Sequence, residues 1–61
     1  MTTTAAIKIR PGLYALGQYR IEDYLDEGTG QWVWRVTDTE DYGDPWRGDF
    51  RTKREALESL R

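Results

Sequence analysis

Polar and apolar positions alternate with a period of two over most of this 61-residue chain, and the pattern changes only at its end. In "QYRIEDYLD", residues 18–26, Tyr19, Ile21, Asp23 and Leu25 fall on one side and Arg20, Glu22 and Tyr24 on the other. That is the period of a strand. "QWVWRVT", residues 31–37, repeats it with aromatic and β-branched residues: Trp32, Trp34 and Val36 share one face, Gln31, Val33, Arg35 and Thr37 the other. The glycine-bearing "EGTG" between them predicts a hairpin. "WRGDF", residues 46–50, reads as a third strand, with Gly48 marking a bulge or a close approach.

The period then changes. Thr52 at an N-cap and Glu55 three residues on form a capping box, each satisfying a backbone N–H left over at a helix start. Ala56, Leu57 and Leu60 make one apolar stripe over residues 52–61. Ten residues of helix are not stable alone in water, so this one must lie on the sheet. The face it covers is expected to be that of Trp32, Trp34 and Val36. The predicted fold is α+β: a three-stranded antiparallel sheet with one C-terminal helix packed on one face. The alternation of "IKIR", Ile7–Arg10, allows an additional N-terminal strand. Pro11–Gly12 is a type II turn signal, and "LYALG" a short extended piece. Residues 1–6 read as a disordered tail and residues 7–61 as one small domain.

Composition narrows the chemistry. The chain has no cysteine and no histidine. This removes disulfides, cysteine or histidine metal sites, and catalysis by a Ser–His or Cys–His pair. Its one serine, Ser59, has no histidine to activate it. Adjacent carboxylates such as Asp26 and Glu27 sit on a turn, and so small a domain has trouble closing a dry pocket. No enzymatic activity and no cofactor are expected. In "DTEDYGDPWRGD" the residues Asp38, Glu40, Gly43 and Asp49 fall at EF-hand positions, but Tyr42 stands where an oxygen ligand belongs and no helix precedes the loop. An acidic solvated loop is the better reading, and no metal is expected. No signal peptide and no membrane span are apparent, so a cytoplasmic location is expected.

Charge is unevenly spread about a net −2. Residues 1–20 carry +3, residues 21–50 carry −7 and residues 51–61 carry +2. Such asymmetry speaks to partners rather than to fold.

"GQWVWRVTD" followed by "WRGDFRTKREALESL" resembles the AP2-type DNA-binding domain of plant transcription factors. It also resembles the AP2-like arm-binding module of phage and transposon tyrosine integrases. The residues that carry the likeness are Gly30, Trp32, Val33, Val36 and Asp38, then Trp46, Gly48, Phe50, Thr52, Glu55 and Ala56. The resemblance implies a small module, phage or mobile-element derived, that reads double-stranded DNA with the sheet face away from its helix. It implies a reading set of Arg20, Arg35, Thr37 and Trp46, to which the neighbouring cations Arg47 and Arg51 add. The chain departs from the family at Glu22, Asp23 and Asp44, acids where that family is basic, and at Thr37, where arginine is typical.

Two other readings rest on the residues alone. The acidic middle segment suits a basic protein partner, bound by an accessory or inhibitory factor. An open aromatic face suits a homodimer. The two readings of the middle segment separate on one point: whether Arg20, Arg35, Arg47 and Arg51 converge away from the acids, or an acidic patch surrounds an aromatic.

Overall fold

The computed structural model describes residues 6–60. The expected tail, residues 1–6, lies almost wholly outside them. Five strands form one antiparallel sheet: β1 Ile7–Arg10, β2 Leu13–Leu16, β3 Tyr19–Asp26, β4 Gln31–Asp38 and β5 Trp46–Phe50. They lie side by side in chain order, a simple meander, and one short helix, α1 Lys53–Glu58, follows.

The three-stranded expectation is therefore corrected to five strands. The two additional strands are the ones with the weakest sequence signal, four residues each. They pair because the Pro11–Gly12 turn folds "IKIR" back on "LYAL". Gly12 takes φ +84°, which a side chain would resist, and a Cβ there would lie 2.5 Å from the Asp23 carboxylate. Its carbonyl accepts from the Asp23 N–H at 2.8 Å and ties the turn to β3.

Register follows the alternation. Ile21 faces Val36, Asp23 faces Trp34 and Leu25 faces Trp32 across β3 and β4. Phe50 faces Trp34 across β4 and β5, and a bulge falls where Gly48 takes φ +134°. A Cβ at Gly48 would press on the Phe50 ring at 3.1 Å, which accounts for glycine at that point.

The helix is shorter than expected, ending at Glu58 rather than running to residue 61. Its start is as the sequence predicts: the Thr52 side chain accepts from the Glu55 N–H at 3.1 Å. Six residues cover little sheet. Ile21, Val36 and Ala56 form the fully buried centre, with Tyr14, Leu16, Tyr19, Trp34, Phe50, Leu57 and Leu60 packed around it. Trp34 thus joins the core as expected. Trp32 does not: it is 64% exposed, because it lies two positions beyond the end of β5 and past the reach of the helix.

Candidate functional site

Pairing leaves the sheet uneven in width. β2 runs beside β3 only as far as Glu22, and β5 runs beside β4 only as far as Trp34. From Tyr24 to Val33 two strands continue alone, closed by the turn at residues 27–30. The molecule measures 40 × 25 × 20 Å along its principal axes. At this tip Leu25 and Trp32 face each other on the helix side of the sheet, and Tyr24 and Val33 face each other on the open side. Leu25, Trp32 and Tyr24 are exposed. Asp23, Asp26 and Glu27 lie among them, and no lysine or arginine occurs from residue 22 to residue 34. The turn is held by Asp26, whose Oδ1 accepts from the Gly28 N–H at 2.9 Å and whose carbonyl accepts from the Gly30 N–H.

The six predicted DNA-contacting residues divide. Arg20, Arg35, Thr37 and Trp46 share the open face: Arg20 is paired with Thr37, Glu22 with Arg35, and Thr37 with Trp46. Arg35 is not free there. Its guanidinium donates to both Asp49 carboxylate oxygens, at 2.9 and 3.1 Å, and its charged end lies 4.0 Å from the centre of the Tyr24 ring. The Trp46 indole N–H donates to the same carboxylate at 3.1 Å. The hydrogen bond from Arg35 holds the Asp49 carboxyl below the usual carboxylate range, and Asp49 in turn raises the Arg35 pKa. Sequence spacing suggests Glu22 as the partner of Arg35. Glu22 instead pairs with Arg10, which β1 brings to the open face. The Arg20 guanidinium donates to the Gly17 and Tyr19 carbonyls, near the edge of the base of the sheet.

Arg47 departs from the expected set. The bulge turns it toward the acidic loop, where it pairs with Asp41 and Asp38 and donates to the Asp44 carbonyl. Its hydrogen bond lowers the Asp41 pKa. Asp38 is the one buried charged residue among those described, at 7% exposure. Both its oxygens accept from the Gln18 amide, at 2.9 and 3.0 Å, and Oδ1 also accepts from the Glu40 N–H. Asp38 and Asp49 belong to opposite faces of the sheet, so the EF-hand spacing does not bring them together. Arg51 lies exposed just past β5.

Tyr42 is 94% exposed in the loop between β4 and β5, beside Asp41 and Asp44. The sequence predicts an acidic surface in the middle segment but places Trp32 in the core, so the tip is not legible as the centre of that surface. The signal was present: "WRGDF" is too short to pair with the whole of "QWVWRVTD". The Lys53 ammonium lies 4.1 Å from the centre of the Tyr14 ring, and Lys8 pairs with Tyr14 across β1 and β2, so the two basic ends of the chain meet over one residue.

No helix among the described residues is long and apolar enough to cross a membrane. Comparison with models of protein families, with characterised proteins and with solved structures finds no match to this chain.

Proposed function

We propose that this chain is a non-enzymatic protein-binding module whose contact surface is the acidic, aromatic tip of the β3–β4 hairpin. The observation that carries this reading is the coincidence of exposed Leu25 and Trp32 on the helix side of the ribbon, and of exposed Tyr24 under Arg35 on its other side, with Asp23, Asp26 and Glu27. Exposed apolar patches of this kind mark interaction sites, and aromatic anchors supply much of the energy at an interface. The charge selects a basic surface around an apolar recess and speeds encounter with it. Titration calorimetry with an alternating lysine–leucine peptide tests it. Binding that weakens at least tenfold in Trp32→Ser supports the reading. Equal binding of wild type and Trp32→Ser, or of a lysine–glycine peptide as tightly, overturns it.

A second reading, double-stranded DNA on the open sheet face, is favoured by Arg20, Arg35, Thr37 and Trp46 lying together there, as the AP2-like resemblance implies. A two-stranded surface fits the major groove. It ranks second because phosphate contacts supply nearly all non-specific affinity, and on this face Asp49 and Glu22 already engage Arg35 and Arg10. Arg47 is turned to the acidic loop. Fluorescence anisotropy with a mixed-sequence duplex at low salt measures it directly: binding lost in Arg20→Gln would move DNA to first place.

A further inference from the structure

Two unpaired strand edges lie on the same side of the sheet and carry opposite charge. One is the outer edge of β1, where all four residues are exposed, Ile7 to 68%. Large apolar side chains on an open edge invite another strand. Lys8 and Arg10 give this edge its positive charge, and self-pairing of two β1 strands would bring like charges together. The other is the edge of β3 from Tyr24 to Asp26, which β2 leaves uncovered. Asp23, Asp26 and Glu27 make it negative.

The sheet order fixes how these edges meet. β1 and β3 run in the same direction, both antiparallel to β2. A two-fold axis normal to the sheet, set in the step beside the Pro11–Gly12 turn, reverses that direction in a second copy. It lays β1 of each copy antiparallel against Tyr24–Asp26 of the other, and does so twice at once. The same operation keeps both helices on one side, so like faces coincide. Arg10, already paired with Glu22 of its own copy, and Asp26 then share the open face, and Lys8 and Asp23 share the helix face. Charge is complementary on both.

We infer that the occupant of the hairpin-tip edge is β1 of a second copy of this chain, giving a two-fold dimer with one continuous ten-stranded sheet. The inference rests on the tip being an interaction surface, and it names the partner of the tip's β3 edge. A closed two-fold contact of this kind uses each surface once and does not propagate into fibres. Because much of the attraction lies between exposed charges, the dimer weakens as salt rises.

Sedimentation or light scattering over a concentration series at low salt tests it. The expected result is a mass rising from 7.2 kDa toward twice that value, and falling back on adding salt. Two variants probe the charges without removing structural contacts of the fold's centre. Lys8→Glu with Arg10→Gln makes β1 negative. Asp26→Asn with Glu27→Lys cancels the net negative charge of the tip edge while keeping an acceptor for the Gly28 N–H. Each variant alone is expected to be monomeric, and an equimolar mixture to associate again. A folding defect would not produce that rescue. A wild-type mass of 7.2 kDa at every concentration, or dimers unchanged in both variants, overturns the inference. A monomer that still binds the lysine–leucine peptide through Trp32 leaves the binding-module reading intact and removes the dimer alone.

Discussion

At the scale of single residues, the charges of this chain are largely occupied by one another. Arg35 is clamped on Asp49, Arg10 on Glu22 and Arg47 between Asp38 and Asp41. Exposed pairs of this kind add little stability. Asp49 has its pKa lowered by Arg35, so its contribution to stability is present above the unfolded value, ~3.9 for an aspartate, and is lost as pH falls through the lower folded value. NMR-detected titration should show the Asp49 midpoint rise toward that ordinary value in Arg35→Gln, and thermal stability should decline below about pH 4. Asp38 is a different case. It is buried and its oxygens are filled by Gln18, Glu40 and Arg47. Replacing it with alanine removes the acceptor of the Gln18 amide and the Glu40 N–H and leaves Arg47 to Asp41 alone, and chemical denaturation should register a loss of about 1–3 kcal/mol.

At the scale of elements, the long strands and the helix start are legible in the sequence because each is specified locally. "QYRIEDYLD" and "QWVWRVTD" alternate over eight residues, and the Thr52–Glu55 box depends on nothing outside itself. Thr52→Ala should destabilise the domain by ~1 kcal/mol, the usual loss for an N-cap. "IKIR" and "LYAL" are harder to read. Four residues carry little periodic signal, and their pairing depends on the Gly12 turn locking against Asp23. Gly12→Ala, which meets both a left-handed φ and that carboxylate, should lower stability by at least the ~1–2 kcal/mol that the conformation alone costs. The position of Trp32 was illegible for a related reason. Alternation tells which face a residue takes, not how far a neighbouring helix and strand extend along it.

At the scale of the whole molecule, a small core supports a wide sheet. Three of the described residues are fully buried, so the domain has few contacts to lose. Ile21→Ala should cost ~2–5 kcal/mol, a large share of the ~5–15 kcal/mol that such domains possess. The sequence of charges becomes a spatial arrangement: the basic first and last segments meet at Tyr14, and the acidic middle segment projects as the hairpin tip. The same projection leaves Trp32 in solvent and the open face electrically balanced.

The central claim is that this molecule binds through the tip and not through the open face. An NMR titration of labelled protein with two probes, the lysine–leucine peptide and a mixed-sequence DNA duplex, tests it most directly at low salt, where contacts to phosphates are strongest. The account predicts that the peptide moves the signals of Tyr24 to Val33, including the Trp32 indole, and that DNA leaves Arg20, Arg35, Thr37 and Trp46 unmoved. Shifts of those four residues with DNA, and a silent tip with the peptide, would contradict it.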